Sequence, residues 1–184
     1  MTLLDANLHS ESAIDVHGFN APTGDAAELR AAFGHFPSGI AALSAIIDGV
    51  PKGLVASSFS VGVSFDPPIV AFSVQNTSTT WPVLRTAATI GVSILGKDHA
   101  EVCAQLASRS GDRFRGLDLI ETDTGSLFIG GSALLLDCEV LSETPAGDHH
   151  IILLEVKSLK VEAGIEPLVY HGAAFRQLAP TYEI

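Results

Sequence analysis

Apolar residues are spaced as in β-strands over most of the chain and as in helices in three places. Helical spacing occurs in residues 25–36 and 97–108, and Trp-Pro-Val-Leu, with proline in a first turn, predicts a short helix over residues 81–87. The other apolar segments are short, often β-branched and bounded by Gly, Pro or Asp, which predicts strands. They cover residues 38–48, 53–63, 69–74, 89–95, 127–129, 132–142 and 150–161.

Six or seven strands with only three helices predict a mainly β fold, arranged as a small antiparallel barrel rather than a doubly wound sheet. Residues 143–148 are predicted to form a loop between the last two long strands, and residues 117–131 an irregular acidic excursion on the surface. Residues 1–24 show no sustained periodicity, so we expect an N-terminal arm followed by one domain over residues 25–184.

Composition narrows the class of partner. The chain has 184 residues, 47% of them hydrophobic and 17% charged, which suits one globular domain with a substantial core. Its net charge is −11 and it has ten Lys and Arg residues, which argues against nucleic-acid and anionic-membrane surfaces. No apolar run reaches the roughly 18 residues of a membrane span, and the first residues lack the pattern of a signal peptide. We therefore expect a cytoplasmic protein.

The two cysteines do not predict a metal site or a disulfide. Cys103 falls in a predicted helix and Cys138 in a predicted strand, without the spacing of a ligand pair, so buried thiols are expected. His9 and His17 lie far from any other group of metal-ligating residues. Neither a glycine-rich dinucleotide motif nor a P-loop is present in the sequence. A dinucleotide therefore cannot be placed by motif.

Hydroxyl side chains are concentrated in the central segment, residues 52–95. Ser57, Ser58 and Ser64 lie on or just after the predicted strand 53–63, and Ser-Thr-Thr at residues 78–80 directly precedes the helix predicted from Trp81. Hydroxyls and free N–H groups at a helix start bind anions, and Arg85 would add a positive charge, so a phosphate suits this position. The alternative is that these hydroxyls only cap the helix and cover the strand surface.

The central segment and its flanks resemble the short-chain flavin reductases. The resemblance rests on GLVASSFSVGVSFDPPIVAFSVQNTSTTWPVLR at residues 53–85, preceded by FPSG at 36–39 and followed by GDH at 147–149 and YHGAAF at 170–175. Proteins of that family are FMN-binding split barrels that supply reduced flavin to two-component monooxygenases. The resemblance covers about residues 25–178 and implies a six- to seven-stranded antiparallel split barrel with about three flanking helices.

The resemblance also implies where the cofactors bind. FMN or FAD is expected to lie along the strand of residues 54–64, with its phosphate at residues 75–80. The flavin-binding residues are then Ala56, Ser57, Ser58, Ser64, Gln75, Asn76, Ser78, Thr79 and Thr80. In the family an Arg/Lys-Phe-x-Gly segment folds over the flavin, which suggests Arg113 and Phe114. The histidine of Gly-Asp-His faces the nicotinamide side there, so His149 is the predicted catalytic residue, binding the carboxamide or stabilising charge on the reduced ring.

The expected activity is hydride transfer from NADH, or NADPH, to FMN or FAD, with reduced flavin passed to the oxygenase component of a monooxygenase. Few basic residues favour NADH, because a 2′-phosphate usually requires an arginine. The resemblance further implies a homodimer. Two other functions remain open: a flavin-dependent oxidase or F420-type reductase on the same barrel, and a non-catalytic barrel that binds flavin or haem.

Overall fold

The computed structural model describes residues 21–179, and there it confirms a mainly β architecture with antiparallel pairing. Three helices are present in this range: α1 (Ala26–Phe33), α2 (Trp81–Leu84) and α3 (Ala100–Ala107). Seven strands form the principal sheet: β2 (Ala41–Ile47), β3 (Val50–Ala56), β4 (Ser60–Phe65), β5 (Pro68–Gln75), β6 (Ile90–Ile94), β9 (Leu134–Ala146) and β10 (His149–Val161). Their order across the sheet is β3-β2-β6-β9-β10-β5-β4, with every neighbouring pair antiparallel.

Five short strands complete the fold. A three-stranded sheet joins β1 (Ser38–Gly39), β11 (Val169–His171) and β12 (Ala174–Arg176). A two-stranded sheet joins β7 (Leu119–Glu121) and β8 (Leu127–Ile129). Tight turns connect the hairpins where the sequence offers residues that tolerate positive φ, such as Asp48 and Gly49 between β2 and β3, with φ of 51° and 74°.

One side of the principal sheet packs against α2. Strand β5 alternates in burial, and its buried residues Val70, Phe72 and Val74 belong to the same apolar cluster as Trp81 and Leu84. The rings of Phe72 and Trp81 meet edge to face with centroids 5.2 Å apart. Because both large residues of α2 are buried, the polar turn that precedes this helix is held against the end of β5.

A second apolar cluster lies beneath α3 and the loop that follows it. Leu106 of α3, Phe114 of the loop and Leu127 and Ile129 of β8 are buried together there. The sequence correctly placed a strand at residues 127–129. Residues 117–125 are exposed or half-buried, as the predicted surface excursion requires, whereas residues 126–130 are buried. A Cβ on Gly91 would overlap the backbone of Leu127, so glycine in β6 is what allows β8 to pack so closely.

The predicted strand 53–63 is in fact two strands. β3 ends at Ala56 and β4 begins at Ser60, with a shifted register against β5 between Ser60 and Ser64. At the break, the Ser58 hydroxyl accepts a hydrogen bond from the Ser73 N–H at 3.0 Å and donates one to the Ser73 carbonyl at 3.1 Å. The Ser58 side chain thereby makes the hydrogen bonds to Ser73 of β5 that a neighbouring strand would otherwise make.

The predicted loop 143–148 is also largely strand. β9 continues to Ala146 and β10 starts at His149, leaving a two-residue turn whose Gly147 has φ 65°. Pro145 is tolerated because β9 pairs with β6 only up to Cys138, so its end has a single neighbour. The predicted helix 81–87 is correspondingly shorter than expected, since regular helix ends at Leu84.

Candidate functional site

A cleft of about 700 Å³ opens where four parts of the fold meet. These are the end of β3 with the residues after it, the end of β5 with the turn after it, the last turn of α3 with its following loop, and the tip of the β9–β10 hairpin. Nine of the twelve predicted site residues line it: Ala56, Ser57, Ser58, Gln75, Ser78, Thr79, Thr80, Arg113 and His149. Residues up to ninety-odd positions apart in sequence therefore share one cavity.

Three predicted residues do not line this cleft. Ser64 lies in β4 beyond the register shift, opposite Ile69. The Asn76 side chain bonds the Gly147 carbonyl and the His150 ring at 3.2 and 2.8 Å, so it fastens the hairpin tip to the end of β5. Phe114 is 7% exposed and packs in the second apolar cluster, against Gly53. All three were assigned from the family resemblance, which does not show which way each side chain faces in this chain.

Backbone donors are unpaired in the turn of residues 77–80, which forms one wall of the cleft. Within residues 21–179 the N–H groups of Thr77, Thr79 and Thr80 donate no hydrogen bond, whereas the Asn76 and Ser78 N–H groups bond carbonyls at 2.9 Å. The Ser78 hydroxyl accepts from the Trp81 N–H at 3.2 Å, which leaves its own proton available. Successive free N–H groups with adjacent hydroxyls form a concave anion-binding surface.

Arg113 fixes the loop after α3 to this wall. Its Nε donates to the Ser108 carbonyl at 2.7 Å, and its Nη1 donates to the Gly53 carbonyl and to the Thr80 hydroxyl oxygen, both at 3.1 Å. Because the Thr80 oxygen accepts from a guanidinium, its O–H is left to donate into the cleft. The structure shows that Arg113 orients a neighbouring hydroxyl, whereas its predicted role in covering a ligand stays a prediction.

Arg109 and Arg85 both differ in position from what the sequence predicted. Arg109 lines the cleft, although the sequence favoured only Arg113 and Phe114 within the basic segment 109–116. Arg85, expected to face a phosphate, instead pairs with Glu143 on β9 with Nε and Oε1 3.1 Å apart, and it is not among the cleft residues. A concentration of arginine was the available signal for Arg109. No local pattern distinguishes which arginine turns inward.

His149 lies at the start of β10, directly opposite Gln75 of β5. Its ring Nδ1 is 2.7 Å from Oδ1 of Asp148, and this hydrogen bond is the main reason that the pKa of Asp148 is lowered from its usual value. The ring is about one-third exposed, while the neighbouring His150 turns away toward Asn76. A histidine at the rim with one nitrogen held by a carboxylate can bind a polar group through the other.

A metal site, a reactive cysteine and a membrane span each have requirements with which residues 21–179 can be compared. No group of three or more His, Cys, Asp or Glu side chains is arranged to hold a metal ion there. Cys103 and Cys138 are both free and buried as expected, and burial raises the pKa of Cys138 to about 12, so its thiol is unreactive at neutral pH. In the same range, none of the helices has the length and apolar character needed to cross a membrane.

Comparison with known proteins identifies the family. Residues 33–179 match the family described as "Flavin reductase like domain". The chain belongs to this family. The match includes every residue that lines the cleft, and the resemblance predicted from the sequence is confirmed.

Named relatives agree with this assignment. The chain is 35% identical over 148 residues to a "Flavin reductase" of Pseudomonas putida, covering 80% of this chain and 86% of the relative. It is 31% identical over 156 residues to the "Flavin-dependent monooxygenase, reductase subunit HsaB" of Rhodococcus jostii, covering 85% and 80%. The solved structure of the NADH:FAD oxidoreductase SgcE6 of Streptomyces globisporus, in complex with NAD and FAD fragments, is 28% identical with a TM-score of 0.83 and coverage of 90% and 99%.

Proposed function

We propose that this flavin reductase transfers a hydride from NADH to FMN or FAD and passes the reduced flavin to the oxygenase component of a two-component monooxygenase. The observation that carries the proposal is the cleft itself, whose lining includes both the anion-binding turn and His149. The reductase relatives support the same activity, and one of them is named as a monooxygenase subunit.

The residues of the cleft fit a flavin phosphate. The free N–H groups of Thr77, Thr79 and Thr80 offer three donors in one turn, and the hydroxyls of Ser78 and Thr80 retain protons that no described residue accepts. Hydrogen bonds from such donors to a charged phosphate are stronger than those to neutral acceptors. Ala56, Ser57 and Ser58 would then contact the ribityl chain and ring.

A bound flavin would supply the redox chemistry, as the acceptor of a hydride from the nicotinamide. The protein contributes binding and orientation. Val55 and Ala56 give the cleft a rigid wall, because β3 is hydrogen-bonded to β2 along its length. His149 would bind the nicotinamide carboxamide or the ring edge that gains negative charge, with Asp148 holding the imidazole in place.

We further infer that the sheet closes as a split barrel and that the protein is a homodimer. The Ser58–Ser73 hydrogen bonds connect the end of β3 to β5, which supports closure. Edge strand β4 exposes Val61, Val63 and Phe65, the last of them 87% exposed, and this strand directly follows cleft residues Ser57 and Ser58. An apolar edge strand next to the cleft is suited to a second copy of the chain, which would extend the cleft wall.

The activity can be tested by following the NADH absorbance with FMN, with FAD or with no flavin. We expect rapid flavin-dependent oxidation of NADH, and reduced flavin that leaves the protein to support an added oxygenase. Tight flavin retention with turnover of another organic substrate would instead favour the oxidase or F420-type function. Flavin or haem uptake without NADH oxidation would favour a binding protein.

The role of His149 can be tested separately with His149→Ala. We expect slower flavin reduction by NADH in stopped-flow measurements, by about tenfold to a hundredfold, with flavin affinity retained. His35→Ala is the control, because His35 is exposed and does not line the cleft. An unaltered reduction rate in His149→Ala would show that the imidazole has no part in the reaction.

A further inference from the structure

A second cavity, of about 410 Å³, adjoins the flavin cleft on the far side of Thr80. Thr79, Thr80 and Arg113 line both cavities, so they form a common wall between them. The second cavity is otherwise bounded by the start of β3, the exposed side of α2 and the loop 111–114. Its volume falls within the range of about 300–1,000 Å³ that is usual for small-molecule sites.

We propose that this second cavity binds the adenylate half of FAD, so that the chain prefers FAD to FMN. This inference rests on the proposed function, because it requires the ribityl phosphate of a flavin to lie against residues 77–80. From that position the next phosphate of a dinucleotide would pass along Thr79, Thr80 and Arg113, which border both cavities. FMN ends at its only phosphate and would leave the second cavity empty.

The charges of the second cavity suit a pyrophosphate. Lys52, on β3, lines this cavity but not the first, and it forms no ion pair with any residue in the described range. The Nη2 group of Arg113 likewise donates no hydrogen bond to the described residues, although Nε and Nη1 are both used. In a chain with ten Lys and Arg residues against 21 Asp and Glu, two available cations beside one wall are a specific feature.

The remaining lining suits an adenosine. Val50 and Val83 are each nearly half exposed and, with Pro51, give the cavity an apolar side against which a purine ring can pack. Asp112 is the anionic residue of this lining; its Oδ1 accepts from the Phe114 N–H at 3.0 Å, which leaves Oδ2 for ribose hydroxyls. This carboxylate would repel a phosphate, which favours placing the ribose beside Asp112 and the pyrophosphate beside Lys52 and Arg113.

The proposal can be tested by measuring dissociation constants for FAD, FMN and riboflavin from the quenching of flavin fluorescence. We expect the wild-type protein to bind FAD more tightly than FMN. Lys52→Ala should raise the dissociation constant of FAD about fivefold more than that of FMN, as the loss of one exposed charge contact allows. Lys52→Glu should widen the difference further. Lys160→Ala, which removes the same charge from β10, is the matched control.

The results separate this inference from the proposed function. Equal affinity for FAD and FMN, or equal changes for both flavins in the Lys52 variants, would overturn the adenylate subsite while leaving flavin reduction intact. A rise in KM for NADH without a change in the FAD to FMN ratio would assign the cavity to the nicotinamide dinucleotide and would also overturn the proposal. Failure of the wild-type protein to bind any flavin would reject both.

Discussion

Two regions of this molecule are rich in hydroxyl side chains, and they differ in whether the polar groups are paired. In the buried network around β8, the Ser126 hydroxyl bonds both Thr89 and Asp137, and Thr89 in turn bonds Thr124 at 3.0 Å. In the turn of residues 77–80, three N–H groups have no acceptor among the described residues, and neither do the hydroxyl protons of Ser78 and Thr80. The first region is complete without a ligand, whereas the second can be completed by a phosphate.

The difference shows that hydroxyl content alone does not identify a binding site. Buried polar groups contribute to stability when they are paired and cost free energy when they are not, so the network around Ser126 belongs to the core. Unpaired donors persist in the turn because the cleft exposes them to water or ligand. Substitutions in the first region should therefore change stability, and substitutions in the second should change binding.

The largest effect is expected from Gly91→Ala, which would displace β8 and disrupt the paired network. The added methyl group overlaps the Leu127 backbone, which cannot move without separating β8 from β6, so unfolding free energy should fall by about 3 kcal/mol or more. Chemical denaturation measures this loss. Gly39→Ala is the control because its Cβ would meet no atom, and an equal effect of the two substitutions would contradict the argument.

The double substitution of Ser78 and Thr80 by Ala should come next, and it should act on binding. Loss of two hydroxyl donors to a phosphate is expected to raise the FMN dissociation constant about 30- to 100-fold, while riboflavin, which lacks the phosphate, binds as before. Stability should fall by only about 1 kcal/mol, from the lost Ser78 bond to the Trp81 N–H. Thr86→Ala is the control, and unchanged FMN affinity in the double variant would refute the phosphate placement.

Ser126→Ala should produce the converse result. It removes a hydroxyl that bonds both Thr89 and Asp137, so each of these residues loses one hydrogen bond. We expect the free energy of unfolding to fall by about 1–2 kcal/mol. Flavin affinity should not change, because Ser126 is fully buried and outside the cleft. Ser142→Ala, on the exposed part of β9, provides the comparison. A clear loss of flavin binding in Ser126→Ala would show that the two regions are coupled.

The smallest effect is a dependence of stability on pH through His99, which precedes α3. Burial lowers the pKa of His99 despite the opposing charge of Asp98, and its Nδ1 accepts from the Gly96 N–H at 3.2 Å. His99 therefore binds a proton more readily in the unfolded chain than in the folded protein. Neutral His99 contributes its full stabilisation above about pH 6.5, and this stabilisation is lost as the pH falls toward the lowered pKa. The slope should not exceed about 1.4 kcal/mol per pH unit.

Denaturation of the wild-type protein and of His99→Asn at several pH values measures this contribution. Asparagine cannot titrate but offers an acceptor near the position of Nδ1, so the variant should lose less stability on acidification. Parallel stability curves would show that other groups account for the pH dependence.

The sequence was most informative where a pattern is local. β5 and β6 appear close to their predicted bounds because a buried apolar run between turn residues specifies a strand. The polar turn 77–80 was located for the same reason, by hydroxyls that directly precede Trp-Pro. His149 was located by the family motif rather than by spacing, and its part in hydride transfer stays a prediction.

The sequence was least informative where a side chain meets a distant backbone. The break in strand 53–63 depends on Ser58 bonding Ser73, and the position of Arg113 depends on a carbonyl sixty residues earlier, at Gly53. Neither contact produces a periodic pattern of residues in the sequence that could predict it. The burial of β8 likewise depends on Gly91, whose importance is visible only when the two backbones are seen together.

The direct pairing of His149 with Gln75 has a consequence for how this chain can vary in length. The pairing of β5 with β10 fixes the distance between His149 and the turn that follows Gln75. Inserting or deleting a single residue in either strand would turn His149 to the opposite face, whereas a two-residue change would restore its direction but move it along the ladder. A change of length should therefore be poorly tolerated anywhere along this pair of strands.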